Sequence, residues 1–126
     1  MVNYRWLVKA LENYPARKIP GVGYQYTVDL GSQHSDELII DFFSVSPGYP
    51  AVWMTVFKLD GNIDIRLMGM DLNTLFYLEL TPLSWPQMVV VDDVAIRQVK
   101  VTNTAQSGKS CVLLFARLPL KYIEYT

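Results

Sequence analysis

The sequence predicts an all-β fold: a single-domain β-sandwich or jelly roll of about seven to nine short strands, with a short N-terminal helix or arm. Three observations carry this. Short runs rich in β-branched and aromatic residues recur along the chain, each closed by Gly, Pro or Asp. Only one segment has helical spacing, and 126 residues is the size of one domain with one core.

Tyr4, Leu7, Val8, Leu11 and Tyr14 recur at helical spacing with Pro15 just after, which predicts a helix within residues 1–14. A helix of about eleven residues is marginal alone in water, so it is expected to dock on its own sandwich or on a neighbouring subunit. Ala16 to Gly23, with Pro20, Gly21 and Gly23, suits a linker. Residues 1–23 are thus expected to form the arm and linker, and 24–126 the sandwich. Tyr24 to Leu30 reads as the first strand, Gly31 to Ser35 as a turn that exposes His34, and Leu38 to Val45 as the second strand, closed by Pro47, Gly48 and Pro50.

Asp60-Gly61 separates Ala51–Leu59 from Asn62–Met68, and that dipeptide suits a two-residue hairpin turn. In the second of these strands Ile63, Ile65 and Leu67 alternate with Asp64, Arg66 and Met68, predicting one buried and one solvated face. Thr74 to Leu80 is the next strand. Pro82 and Pro86 bracket a loop carrying Trp85, after which Met88 to Val91 is strand-like and Asp92-Asp93 suits a turn. The apolar alternation of Val94, Ile96, Val99 and Val101 slips near Arg97 and Gln98, predicting a bulge or bend. Ser110 to Ala116 is apolar almost throughout and reads as a central strand buried on both faces, and Lys121 to Tyr125 as an edge strand.

Eleven basic and twelve acidic residues give a net charge of −1 without any block of one sign, which argues against nucleic acid and against a membrane surface as partners. The longest apolar runs, Cys111–Ala116 and Met88–Val91, fall far short of the roughly 20 residues that cross a bilayer. Arg5, Lys9 and Glu12 interrupt the N-terminal stretch, unlike a secretory signal, and the single Cys111 precludes an internal disulfide; both point to synthesis in the cytoplasm. With 51% of residues hydrophobic and only 18% charged, part of the apolar surface is expected to meet a partner.

No reactive constellation emerges. Gly108-Lys109-Ser110 resembles the end of a phosphate-binding loop, but Asn103 stands where a glycine belongs and a strand follows instead of a helix; a turn with Gly108 at positive φ is expected. One histidine, His34, is too few for a metal site or a histidine-based triad. Asp36-Glu37 and Asp92-Asp93 point to opposite faces if extended, and Asp64, Asp71 and Glu79 suit a solvated face better than a catalytic pair. Cys111 sits in the most apolar strand and reads as a small buried hydrophobe. No catalytic residue, metal or cofactor is expected, and the chain is not expected to be an enzyme. Sixteen aromatic residues, including the clusters Tyr24 with Tyr26, Phe76 with Tyr77 and Tyr122 with Tyr125, exceed what one core face accommodates. The surplus suits a subunit interface or a sugar-stacking groove. Tyr4, Trp6, Leu7, Leu11 and Tyr14 on the arm, Trp85 in its loop, and Tyr122 and Tyr125 on the last strand are the candidate interface residues.

Two stretches, Tyr26-Thr-Val-Asp-Leu-Gly-Ser-Gln-His-Ser-Asp-Glu37 and Val101-Thr-Asn-Thr-Ala-Gln-Ser-Gly-Lys-Ser110, resemble a pattern in small virion structural proteins of tailed bacteriophages. In that pattern an early DLSTARTDE-like strand and turn precedes a late TNTAQSGK hairpin leading into an apolar strand. Leu59 to Leu67 is similar to that family's middle hairpin, and the resemblance covers about residues 24–116, departing at Gly31, Gln33 and His34. It implies a protein of the phage particle, located in the virion and made in the host cytoplasm, whose partners are other capsid or tail subunits. A minor capsid or decoration (cement) protein is the leading expectation, as a symmetric homo-oligomer, first of all a trimer. A tail, baseplate or head-to-tail connector component is the structural alternative, and a carbohydrate-binding module the alternative of another class.

Overall fold

The computed structural model describes residues 2–3, 22–45, 49–82, 89–119 and 124–125. Among these the chain runs β1 (Val2–Asn3), β2 (Val22–Asp29), β3 (His34–Asp41), α1 (Phe42–Val45), β4 (Ala51–Leu59), β5 (Ile63–Met68), β6 (Thr74–Leu80), β7 (Val89–Ile96), β8 (Gln98–Asn103), β9 (Ser110–Arg117) and β10 (Glu124–Tyr125). Eight strands form two four-stranded antiparallel sheets, ordered β2-β9-β4-β7 and β3-β8-β5-β6, while β1 pairs with β10. The pairs are nested: β2 with β9, β3 with β8, β4 with β7 and β5 with β6. A long antiparallel ribbon rolled so that alternate pairs fall in opposite sheets is the jelly roll, one of the two sandwich forms the sequence predicts.

Alternation along each strand supplies the core. On β9 the residues Cys111, Leu113 and Phe115 face inward, beside Val28, Tyr26 and Tyr24 of β2 and Leu59, Val56 and Met54 of β4. Ile63, Ile65 and Leu67 of β5 face them from the other sheet with Val99, Val101 and Ile40. Each such buried aliphatic side chain contributes about 1.5–3 kcal/mol. The expected burial of β9 on both faces holds fully on one: Val112, Leu114 and Ala116, on the other, are half-buried.

Several local expectations change. Asp60-Gly61 is not a hairpin turn, because β4 and β5 lie in opposite sheets and the only described glycine at positive φ is Gly108, at 75°. The late stretch is not a hairpin either: β8 and β9 also lie in opposite sheets, although Gly108 takes the conformation expected of it. In both places long-range pairing overrides a turn-forming dipeptide. The second strand is His34–Asp41, four residues earlier than expected at both ends. It stops because Asp41 Oδ1 accepts the amide of Phe43 at 3.0 Å and starts the α1 turn, which sends Phe42 into the core against Tyr24 and Phe115.

Asp92-Asp93 does not turn the chain. It lies within β7, where Asp93 takes φ 57° and absorbs the register shift opposite Ala51 and Trp53. The slip at Arg97 is a bend, as expected: Arg97 leaves one sheet for the other, donating its amide to Met68 O at 2.8 Å and accepting from Phe42 N at 2.9 Å. Met68 is buried instead of solvated, and β2 begins at Val22, inside the expected linker. Of the arm, Val2 and Asn3 are extended; the rest of the expected helix lies outside the described residues.

Candidate interaction surface

Three crossings between sheets meet at one end of the roll: 30–33, 60–62 and 104–109. They are tied together mainly by two amide side chains. Asn103, buried at the end of β8, donates through Nδ2 to Leu30 O, Ser32 O and Thr104 O at 3.3, 2.9 and 2.8 Å, and its Oδ1 meets His34 Nδ1 at 2.5 Å. Gln106 bonds the backbone of Asn62, and Gln106 N donates to Leu30 O at 2.7 Å. Asp60 Oδ1 accepts from Ser110 N at 2.5 Å. The segment reminiscent of a phosphate loop therefore works as a latch, and Gly61 is a glycine because Gln106 and Leu30 crowd it.

A shallow depression of about 320 Å³ beside the latch is lined by Gln33, His34, Asn62, Asp64, Thr102 and Thr104. Three of its polar side chains, and Asp36 beside it, are already engaged. His34 meets Asn103 and, at 3.3 Å, Glu37; Thr102 Oγ1 accepts Asp36 N at 2.8 Å; Asp64 accepts from the Tyr77 hydroxyl at 3.2 Å. His34 is accordingly a half-buried strand residue and not an exposed turn residue. Asp64 and Glu79 are cross-strand neighbours, whereas Asp71 lies in the turn beyond the other end of the pair, past Met68, which is itself about 13 Å from Asp64 along the strand. There Asn73 donates to Asp71 from its backbone and side-chain amides at 3.1 and 2.9 Å, which holds the Asp71 carboxyl below its ordinary value. Cys111 is fully buried and its thiol is pushed up to about 12, chiefly by burial and then by Asp60, so it is an inert core residue as expected.

Exposed apolar side chains concentrate elsewhere. Leu38 stands singly, Phe57 and Val90 lie diagonally across β4 and β7 on one outer sheet face, 67 and 51% exposed, and Leu72, Leu75, Phe76 and Tyr77 form one run, 42 to 46% exposed. They lie on β6 and on the turn before it. β6 pairs with β5 on one side, and among the described residues no strand covers its other side. Leu72 sits at the turn tip with φ 65°, a conformation that costs a non-glycine residue about 1 kcal/mol. Tyr77 lies against Arg66, whose guanidinium carbon is 5.4 Å from the ring centre, and its hydroxyl is pushed up by desolvation and by Asp64.

No family model matches the chain, and no curated protein matches it. Among solved structures it is similar to a chain described under "Bacillus endospore appendages form a novel family of disulfide-linked pili", at 13% identity and TM-score 0.49, over 81% of this chain and 90% of that one. A likeness at that level decides neither fold nor function.

Of the interface residues expected from sequence, Tyr4, Trp6, Leu7, Leu11, Tyr14, Trp85 and Tyr122 lie outside the described residues. Tyr125 is on β10, its backbone opposite Val2. Of the row on β6, the sequence singles out only Phe76 with Tyr77, as part of the aromatic surplus, and neither Leu72 nor Leu75. Its signal is the unbroken Leu75-Phe76-Tyr77-Leu78: in a strand, four consecutive apolar residues make both faces apolar, although only one of them faces the core. No helix among the described residues is long and apolar enough to cross a membrane.

Proposed function

We propose that this chain is a structural subunit of a bacteriophage particle, a minor capsid or decoration protein that acts by packing against other virion subunits and performs no chemistry. The observation that carries this reading is the exposed run Leu72, Leu75, Phe76 and Tyr77 along a sheet edge that no strand among the described residues covers. Apolar side chains at a strand edge carry an aggregation hazard that a free monomer avoids, and they suit a surface covered in an assembly.

The phage resemblance adds to it. Its two main stretches bond each other at the latch, through Leu30 and Ser32 on one side and Asn103 and Gln106 on the other. A pattern that closes the roll leaves the outer surface free to suit each particle's neighbours. The partners of this reading are other capsid or tail subunits and further copies of the chain.

Quantitative mass spectrometry of purified particles of the encoding phage tests this. Copy numbers in the hundreds are expected for decoration, whereas about six to twelve copies would mark a connector or baseplate ring instead. Absence of the chain from particles would overturn the reading altogether.

A further inference from the structure

We propose that residues 4–14 dock along the outer face of the β2-β9-β4-β7 sheet of their own chain. The two outer faces of the roll differ in chemistry. On the β3-β8-β5-β6 sheet the outward pairs across β8 and β5 are Lys100 with Arg66 and Thr102 with Asp64, all charged or polar. On the other sheet Val112, Leu114 and Ala116 of β9 stand outward, with Trp53 of β4 opposite Ala116 and Thr55 opposite Leu114. Phe57 and Val90 extend this patch and are its most exposed members. Thr55 lies between Leu114 and Val90, and its hydroxyl is already engaged, donating to Val89 O at 2.6 Å. An antiparallel sheet can leave one face to water when that face is polar; this one is apolar and calls for a cover.

The occupant follows from where the chain leaves and re-enters this sheet. β1 lies against β7, one edge, and Val22 opens β2, the other edge, so residues 4–21 join the two edges of the same sheet. Those edges are three strand spacings apart, about 14 Å. Core side chains fill the space between the sheets, and crossings occupy both ends of the roll, the latch at one and Arg97 at the other. The outer face is the remaining way across. Eleven residues at helical rise measure about 16 Å, and residues 15–21 reach about 23 Å, enough to return to Val22. Tyr4, Leu7, Val8, Leu11 and Tyr14 supply the matching apolar stripe, while Lys9 and Asn13 fall on the opposite side of the same predicted helix. The arm then belongs to the sandwich, its stripe turned to its own sheet instead of a neighbouring subunit. Contacts with other subunits fall to the remaining surfaces, whether or not the chain is a virion protein.

Paramagnetic broadening in the full chain is the test. Lys9→Cys carries a nitroxide on the side of the arm away from the stripe, and Cys111 stays in place because its thiol is fully buried. In isotope-labelled protein the amide signals of Trp53, Thr55, Val90 and Leu114 are expected to lose most of their intensity relative to the reduced label, while those of Lys100, Thr102 and Arg66 on the opposite sheet keep most of theirs. An equal mixture of spin-labelled chain without isotope and isotope-labelled chain without nitroxide is expected to show no loss, which separates docking within one chain from docking on a second copy. Leu11→Lys, a change in the stripe and outside the sandwich core, is expected to abolish the broadening while the strand signals stay in place. Full intensity across this face, broadening to the same degree in the mixture, broadening of Lys100 and Arg66 in its stead, or a Leu11→Lys chain broadened like its parent would each overturn the proposal.

Discussion

The Gln106 side chain and the Asn62 backbone bond each other at both ends: Nε2 donates to Asn62 O at 2.8 Å, and Oε1 accepts from Asn62 N at 2.7 Å. One amide side chain thus serves as a short stretch of strand between crossings that belong to different ribbon pairs. Gln106→Ala is expected to cost about 1–3 kcal/mol, read from urea denaturation at neutral pH, because it leaves a donor and an acceptor of Asn62 without partners. A loss within error of zero would mean that water replaces both bonds.

Gly61 tests the same contact from the other side. A Cβ there would lie 2.5 Å from Gln106 Oε1 and 2.9 Å from Leu30 Cδ1. Gly61→Ala is expected to destabilise by about 1–3 kcal/mol through overpacking. Since Gln106→Ala removes the nearer clash, the double variant is expected to lose less than the sum of the two single losses. Strict additivity in the double-mutant cycle would count against the crowding account.

Arg117 is the buried cation at the far end of β9, 3% exposed. Its Nε donates to Tyr49 O at 3.2 Å and Nη2 to Phe42 O at 3.3 Å, with the rings of Phe42, Tyr49 and Tyr24 at 5.3, 5.8 and 5.9 Å. Burial lowers its pKa, and the rings and carbonyls offset that cost. Arg117→Ala is expected to lose about 2–4 kcal/mol in chemical denaturation, since two carbonyls lose their donor and a packed stem disappears. Arg117→Met, which keeps the stem, is expected to lose less.

Cys111 makes stability depend on alkaline pH. Its thiol pKa is about 12 in the fold against an ordinary 9.0, so between these values the folded chain holds a proton that the unfolded chain releases. Stability from this group is complete below pH 9 and falls as pH rises toward 12, by about 4 kcal/mol at 1.36 kcal/mol per unit. Cys111→Ala is expected to start lower, from the lost packing, but to show a shallower decline over that window. Equal slopes in the two proteins would show that other groups govern it.

Periodicity made the sandwich legible. Ile63, Ile65 and Leu67 announced an inward face, the slip at Arg97 announced a corner, and the apolar run from Ser110 announced the central strand. Pairing was not legible, because it is decided at long range. Asp60-Gly61 has the composition of a hairpin and the role of a crossing, since β4 finds β9 and β7 while β5 finds β8 and β6. The candidate surface was legible only as the aromatic pair Phe76-Tyr77, for a related reason: that β6 is the last strand of its sheet, which leaves the Phe76 ring half open although it stands opposite Leu67, is decided by pairing.

The nested pairing also bears on how the chain is made. Among the described strands, β5 and β6 are the only sheet neighbours consecutive in sequence, joined by the Gly69–Asn73 turn, whereas β2 must wait for β9, close to the other end. Folding is therefore expected to start at that turn and close outward, slowly for the chain's length, with β2 unmatched on the ribosome until β9 has emerged.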